Sequence, residues 1–232
     1  MRFFNFEELE STNDFLKNNA ELFQEYDIVT ARIQTKGRGR RGKVWFANEG
    51  AAIFSFLINE RKDLNSYDYI KLPLIAGLAT IKGLKKIENL NYMFKWTNDV
   101  YLNKKKLSGI LVEKAGSNFI IGIGININNN IPIQVKNTAV SLKEITGITY
   151  SLFTVISSVV DSFSKLYDDF EKGKWKEIIE EINHMNYLKN SPTSLKIGDK
   201  YIEGIAQNIN IDGEIEIFYE GKIHTFSMGE IV

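Results

Sequence analysis

The 232-residue chain contains no cysteine, which excludes disulfides, thiolate metal sites and cysteine nucleophiles. Its 29 basic and 29 acidic side chains balance, so its overall charge does not favour a general nucleic-acid binder. Residues 1–8 lack the apolar core of a signal peptide, and no apolar run approaches the roughly 20 residues of a membrane span. These absences predict a cytoplasmic globular protein without a membrane partner.

Apolar patterns along the chain predict an α+β protein with one large domain and one small one. Strands are predicted over residues 26–33, 51–58, 92–96, 100–102, 107–114 and 119–128. Helices are predicted to begin at Ser11 or Thr12 and to span 69–86, 151–170 and 175–187. From about residue 191, short alternating segments separated by glycines predict a small β module, too small for much independent stability and therefore docked on the main domain.

The segment 119–128 shows the most regular alternation. Apolar residues take every second position from Phe119 to Ile127, and Gly122 and Gly124 lie between them. Since side chains alternate across a strand, one face is predicted to join the core and the other to be bare. A bare face indicates that something packs flat against it or crosses closely, either another backbone or a ligand.

A glycine-rich basic loop follows the predicted strand 26–33. Residues 34–45 read Gln-Thr-Lys-Gly-Arg-Gly-Arg-Arg-Gly-Lys-Val-Trp, with three glycines and five cations. Glycines let the backbone turn tightly and approach a ligand closely. Because a neutral chain concentrates positive charge here, the loop is predicted to bind an anion.

The loop matches Gly-x-Gly-x-x-Gly, a pattern shared by dinucleotide-binding proteins and protein kinases. A dinucleotide fingerprint must open a helix, whereas residues 43–50 are predicted to lead into a strand. The His-Arg-Asp and Asp-Phe-Gly segments of kinases and the Walker loop are all missing from the sequence. Two interpretations of the isolated loop stay open, a solvated basic turn and an RNA-contacting loop.

Two further polar clusters follow. Residues 95–99 read Lys-Trp-Thr-Asn-Asp near a predicted strand end, and Lys106 follows a predicted hairpin turn at 103–105. A lysine-rich hairpin tip is typical of a solvated turn, but Lys106 lies where the apolar pattern resumes. Polar clusters separated by buried strands can converge on one face of a sheet, and sites for phosphate-bearing ligands are commonly built in this way.

Five segments, in this order and spacing, resemble biotin protein ligases. They are Ser11–Asn13, Gln34–Gly42, Lys95–Asp99, Lys106–Leu111 and Gly122–Asn126. The resemblance covers nearly the whole chain. It implies a mixed-sheet catalytic domain of the biotin/lipoate ligase type over 1–188, packed with helices, and a small SH3-like β-barrel over 189–232. One departure is Thr97, where the family usually has proline, and it removes no reacting group.

The resemblance implies that biotin and ATP give biotinyl-5'-AMP and pyrophosphate, and that the biotinyl group then passes to a carrier lysine. The first step brings two anions together, which demands fixed cations and backbone N–H groups shielded from water. Arg40 and Lys106 are the expected catalytic residues. Arg40 is expected to belong to a loop that closes over the reactive adenylate.

The resemblance also implies the ligand contacts. The expected biotin-binding residues are Ser11, Thr12, Asn13, Gln34, Arg38, Gly39, Arg40, Lys106, Gly109, Gly122 and Gly124. The expected ATP-binding residues are Arg38, Arg40, Arg41, Trp45, Lys95, Asn98, Lys106 and Asn126. Asp99 is the candidate ligand for Mg²⁺. Taken alone, Ser11–Asn13 is typical of helix capping, and Trp45 is typical of a core residue.

A biotin carboxyl carrier protein, as in acetyl-CoA carboxylase, is the expected partner. DNA binding is not expected, because the first motif begins at residue 11 and leaves no room for the helix-turn-helix domain of some family members. A homodimer through a sheet edge is a further hypothesis. The alternative functions are a lipoate–protein ligase or lipoyl/octanoyl transferase, which resembles this fold, and a non-enzymatic RNA-binding module.

Overall fold

The computed structural model describes residues 1–61, 64 and 68–232. Its central strands are Phe3–Leu9 (β1), Ile28–Gln34 (β2), Ala52–Asn59 (β3), Met93–Lys95 (β4), Asp99–Leu102 (β5), Lys105–Ala115 (β6) and Asn118–Ile125 (β7). They form one mixed sheet in the order β1-β2-β3-β7-β6-β5-β4. Strands β1 and β2 pair in parallel, and the remaining neighbours pair antiparallel.

Helices cover both faces of this sheet. They are Thr12–Asn18 (α1), Leu72–Ile87 (α2), Leu142–Thr146 (α3), Leu152–Glu171 (α4) and Trp175–His184 (α5), with single 3₁₀ turns at Ala20–Leu22, Arg40–Gly42, Asp68–Lys71 and Ile133–Val135. In the part of the chain that the structure describes, none of the helices combines the length and apolar character needed to cross a membrane.

The main core lies between the sheet and helices α2 and α4. Strand β3 is buried along seven of its eight residues because it lies between β2 and β7 and is covered on both faces. On the second face, α1 buries Leu16 against Val29, Leu57 and Ile120 in a smaller apolar cluster. This arrangement holds the N-terminus of α1 directly over the centre of the sheet.

A second, five-stranded antiparallel sheet follows the helices. Its strands are Pro192–Ile197 (β8), Lys200–Ile209 (β9), Ile215–Tyr219 (β10), Lys222–Phe226 (β11) and Glu230–Ile231 (β12), in the order β11-β10-β9-β8-β12. The indole nitrogens of Trp96 and Trp175 donate hydrogen bonds to the carbonyls of Gly213 and Ile211, at 3.0 and 2.5 Å. These two hydrogen bonds attach the five-stranded sheet, called the small module below, to the rest of the chain.

The predicted α+β class and mixed sheet are confirmed, and the predicted strands and long helices occur within a few residues of their expected bounds. Strand β1 was not predicted, since it is a half-exposed edge strand whose apolar pattern is weak. Helix α3 was also missed, although Ser141 and Glu144 form a capping box that the sequence spacing signals.

Two predicted bounds were wrong. The hairpin turn consists of Asn103 and Lys104, both with positive φ, and β6 already begins at Lys105. The strand predicted to reach residue 128 ends at Ile125. On the face of β7 that was predicted to be bare, the Ile120 side chain packs in the smaller apolar cluster. The part of this face without side chains is therefore confined to Gly122 and Gly124.

Candidate active site

A cavity of about 1120 Å³, counting the open space at its mouth, lies where the N-terminus of α1, the basic loop and the sheet meet. Strands β2, β5, β6 and β7 and the small module all contribute to its walls. The predicted site residues that line it are Ser11, Thr12, Asn13, Gln34, Arg38, Gly39, Arg40, Arg41, Trp45, Lys95, Asn98, Asp99, Lys106, Gly109, Gly122 and Gly124. The predicted convergence of distant polar clusters is therefore observed.

Asn126 is the exception among the predicted residues. It is buried just beyond β7 and does not line the cavity. Its Oδ1 accepts a hydrogen bond from Asn129 Nδ2 at 3.0 Å. This geometry does not support the predicted contact with ATP, which stays a prediction.

One end of the cavity is built from hydrogen-bonding groups at the start of α1. The Ser11 hydroxyl oxygen accepts from the Asp14 N–H at 3.3 Å and caps the helix. The Thr12 N–H donates to Gln34 Oε1 at 2.7 Å, and Thr12 Oγ1 lies 3.0 Å from the same oxygen. Ser11 therefore caps the helix and also lines the cavity. Both roles are compatible because its hydroxyl oxygen accepts the hydrogen bond from the helix, which leaves the hydroxyl proton available.

Asn13 is held by two residues that the sequence did not single out. Its Nδ2 donates to Glu113 Oε2 at 2.8 Å, and its Oδ1 accepts from Ser55 Oγ at 2.6 Å. Ser55 is completely buried in the centre of β3. A serine inside the apolar run 51–58 is the one sequence signal that could have identified it.

The bare face of β7 is covered by two side chains. A Cβ added to Gly122 would lie 2.0 Å from Asn13 Oδ1, and one added to Gly124 would lie 2.5 Å from the Trp45 ring. Close packing against this face was predicted, and the structure identifies the packing groups as side chains rather than another backbone. Trp45 itself is half-buried and also packs on Ala47, Ala51 and Ile53.

The other end of the cavity carries a cluster of cations. Lys106 Nζ lies 2.8 Å from Asp99 Oδ1 and 5.7 Å from the centre of the Trp45 ring. Burial lowers the pKa of Lys95, although the Asp99 carboxylate opposes this effect. With Arg40 nearby, three cations surround one carboxylate. This local excess of positive charge suits an anionic ligand.

Arg40 folds inward from the basic loop. Its Nη1 donates to Thr97 Oγ1 and, at 3.3 Å, to Asn98 Oδ1. Burial lowers the pKa of the Arg40 guanidinium, with a further lowering from the charge of Arg41. Arg40 therefore connects the loop to the segment that also carries Asp99.

The remaining loop cations also contact the protein. Arg38 donates to Asp14 and lies 3.3 Å from Glu113, while Lys36 lies 2.7 Å from Glu10. The loop passes through a 3₁₀ turn and reaches β3 without opening a helix. The exclusion of a dinucleotide fingerprint is confirmed, and the loop is not the freely solvated turn considered above.

The residues around Asp99 provide few ligands for a metal. Asp99 is paired with Lys106, and the Asn98 amide oxygen accepts from Arg40. Across residues 1–61, 64 and 68–232, no group of three or more histidine, aspartate and glutamate side chains is close enough to hold a metal ion. Any divalent cation would therefore need most of its ligands from a bound substrate and water.

Comparison with known proteins identifies relatives of the chain. The model of the "Biotin/lipoate A/B protein ligase family" matches residues 5–130. The "Bifunctional ligase/repressor BirA" of Escherichia coli K12 is 30% identical over 230 residues, covering 96% of this chain and 71% of that protein. The "Biotin--[acetyl-CoA-carboxylase] ligase" of Mycobacterium tuberculosis is 25% identical over 96% of this chain and 85% of its own length.

A similar solved structure is "Biotin protein ligase from Aquifex aeolicus in complex with biotin and ATP". It superimposes with a TM-score of 0.90 at 33% identity, covering 100% of this chain and 97% of that chain. Its likeness therefore extends over both sheets described above.

Proposed function

The chain belongs to the biotin/lipoate A/B protein ligase family, and we propose that its cavity joins biotin to ATP and then passes the biotinyl group to a protein lysine. Its homologues are biotin protein ligases, and its activity is ATP-dependent biotin ligation. One observation carries the residue assignment: a buried hydrogen-bonding cluster and a cation cluster occupy opposite ends of the same cavity.

The hydrogen-bonding end suits the ureido ring of biotin. Ser11, Thr12 and Asn13 are buried, and Gln34 Oε1 is occupied by the Thr12 N–H, which leaves the Gln34 amide N–H groups to bind a ligand. A buried polar cluster is stable only when its groups are paired, so a ligand with several hydrogen-bonding groups is favoured over an apolar one. Gly109, Gly122 and Gly124 line the cavity beside this cluster, and none of them contributes a side chain that would fill the space of the ligand.

The cationic end suits the reacting anions. In the first step a biotin carboxylate oxygen attacks the α-phosphorus of ATP, and pyrophosphate leaves. Lys106 and Arg40 would neutralise charge on the carboxylate and the pentavalent phosphorus, while Lys95 and Arg41 would attract the departing phosphates.

In the second step the amine of a carrier lysine attacks the acyl carbon, and AMP leaves. An adenylate open to solvent would hydrolyse or acylate unrelated amines. The basic loop would cover it, and the positions of Gly39, Arg40 and Trp45 in the cavity lining support this role. Asn98 would hold Arg40 in position through its amide oxygen.

We infer that Mg²⁺ would arrive with the phosphates of ATP, with Asp99 as the protein carboxylate nearest to it. The chemistry it supplies there is neutralisation of phosphate charge. Before the nucleotide binds, Lys106 occupies the Asp99 carboxylate instead.

We also propose the division of the chain and its partner. The catalytic domain would comprise residues 1–188, and residues 189–232 would form an SH3-like barrel, which five short antiparallel strands support. The acceptor would be a biotin carboxyl carrier protein, as the name of the Mycobacterium tuberculosis relative suggests. The homodimer through a sheet edge stays a prediction.

Lipoate or octanoate ligation is the alternative within the same family. Neither acid carries hydrogen-bonding groups at its distal end, so each would leave the buried polar cluster unpaired. Side-by-side ATP–pyrophosphate exchange with biotin, lipoate and octanoate tests the assignment. We expect exchange with biotin, and exchange that responds to lipoate or octanoate but not to biotin would overturn the proposal.

A further inference from the structure

Behind the hydrogen-bonding end of the cavity lies a short chain of hydrogen bonds, called the relay below, that joins Thr12, Ser55, Asn13 and Glu113. Thr12 Oγ1 and Ser55 Oγ are 2.7 Å apart, Ser55 Oγ and Asn13 Oδ1 are 2.6 Å apart, and Asn13 Nδ2 lies 2.8 Å from Glu113 Oε2. Thr12, Asn13 and Ser55 are each at most 3% exposed. Solvent therefore cannot substitute for the contacts among these three residues.

The direction of the hydrogen bonds in the relay follows mainly from Glu113, whose 2.8 Å contact with Asn13 Nδ2 is shorter than the 3.4 Å contact from the Leu111 carbonyl. A carboxylate only accepts, so the Asn13 amide must turn its NH₂ group toward Glu113 and its carbonyl oxygen toward Ser55. That oxygen also only accepts, so the single Ser55 proton is donated to it. The 2.7 Å contact between Ser55 and Thr12 then needs the Thr12 proton.

This direction decides what Thr12 can offer to a ligand. The Thr12 proton faces two acceptors, Ser55 Oγ at 2.7 Å and Gln34 Oε1 at 3.0 Å, and the shorter contact is the one to Ser55. Toward a ligand, Thr12 Oγ1 therefore retains acceptor capacity alone. Two other groups are left as donors. Ser11 keeps its hydroxyl proton because its oxygen accepts from Asp14, and the Gln34 amide presents N–H groups because its oxygen accepts from Thr12.

The two donors match the carbonyl oxygen of a cyclic urea, which can accept two hydrogen bonds, and Thr12 Oγ1 matches one of its two ring N–H groups. We propose that Ser55 and Glu113 are positioning residues that fix this donor and acceptor pattern, so that the cavity selects a ring with N–H groups. The inference rests on the proposed biotin ligase function. Neither residue touches the reacting atoms, since both act through Thr12 and Asn13.

The test uses biotin and its two cyclic carbamate analogues, in which one or the other ring N–H is replaced by oxygen. An oxygen facing Thr12 meets an acceptor, so the wild-type enzyme should reject the corresponding analogue by about 100-fold or more. In Ser55→Ala the Thr12 proton loses its nearer acceptor, which leaves it to turn either toward Gln34 Oε1 or toward the ligand. We expect the ratio of kcat/KM for biotin over that analogue to fall about tenfold, the biotin KM to rise and kcat to stay within about twofold.

A second variant and a matched control complete the design. Glu113→Gln allows the Asn13 amide to reverse and should lower the same ratio. Ser108→Ala is the control, because Ser108 is equally buried, lies in β6 of the same sheet, and has an Oγ without a hydrogen-bond partner among the described residues. It should leave the ratio unchanged.

The outcomes separate the two proposals. If wild-type protein shows no biotin-dependent exchange, the proposed function fails. If wild type is active but folded Ser55→Ala and Glu113→Gln keep its discrimination against both analogues, the positioning role alone is overturned. A purely structural role would raise the biotin and analogue KM values in parallel, and that result would also overturn it.

Discussion

Lys43 in the basic loop forms an ion pair with Glu230 in β12, so the last strand of the chain holds the loop beside the cavity. Arg41 Nη1 approaches the same carboxylate at 4.0 Å. The hydrogen bond from Lys43 lowers the pKa of Glu230, with further lowering by the charges of Lys43 and Arg41. The five-stranded sheet therefore takes part in positioning the basic loop.

Glu230→Gln should loosen the loop. A half-exposed ion pair is worth about 0.2–1 kcal/mol, so we expect amide hydrogen exchange across residues 38–44 to accelerate about 1.4- to fivefold. Glu220→Gln, an exposed change in the same module, should not alter it. Equal exchange in Glu230→Gln and wild type would show that the pair does not restrain the loop.

The same contact has a pH dependence of defined sign. Because the folded pKa of Glu230 is lowered, its stabilisation is present above the ordinary glutamate pKa and is lost as the pH falls through the lowered value. Exchange of the loop amides, corrected for intrinsic rates, should therefore rise in wild type on acidification below the ordinary glutamate range. Glu230→Gln should lack this added response, and an identical response in both proteins would contradict the assignment.

Gly122→Ala should impair biotin use. The new Cβ would lie 2.0 Å from Asn13 Oδ1, and Asn13 would have to leave the position that Ser55 and Glu113 define. Overpacking costs about 1–3 kcal/mol, so we expect the biotin KM in exchange assays to rise about 5- to 150-fold with little change in the ATP KM. Asn118→Ala, at the far end of the same strand, is the control and should preserve both KM values.

Lys106→Ala should depress adenylate formation. Removing a cation from developing negative charge typically costs about 10²–10³ in kcat, measurable by biotin-dependent pyrophosphate exchange. Lys104→Ala removes an exposed lysine from the adjacent turn and should have almost no effect. An unchanged exchange rate in Lys106→Ala would remove Lys106 from the chemistry.

Arg40→Gly should release the adenylate. The substitution removes the contacts to Thr97 and Asn98 that hold the loop inward, so the mixed anhydride would reach unrelated amines. We expect increased biotinylation of a bystander protein such as serum albumin. Thr97→Val removes one acceptor of Arg40 and keeps the guanidinium, so it should give a smaller increase in bystander biotinylation. If Arg40→Gly retains the adenylate as tightly as wild type, the basic loop does not cover the adenylate as proposed.

The amino-acid sequence determined the local features of this protein. Alternation and apolar runs specified most strands and long helices, because side-chain period follows directly from backbone geometry. The basic loop, the Lys-Trp-Thr-Asn-Asp segment and the paired glycines of β7 also identified chemistry that suits an anion. These features depend on residues near one another in the chain.

Tertiary structure alone decided the pairing of these groups. Asn13 and Glu113 are 100 positions apart, and Lys43 and Glu230 are 187 apart. Tertiary structure also separated one residue from the site. Asn126 belongs to the same sequence motif as Gly122 and Gly124, but it does not line the cavity. A hydrogen bond or ion pair requires contact within a few ångströms and a defined direction, and neither is set until the sheet, α1 and the small module have packed together.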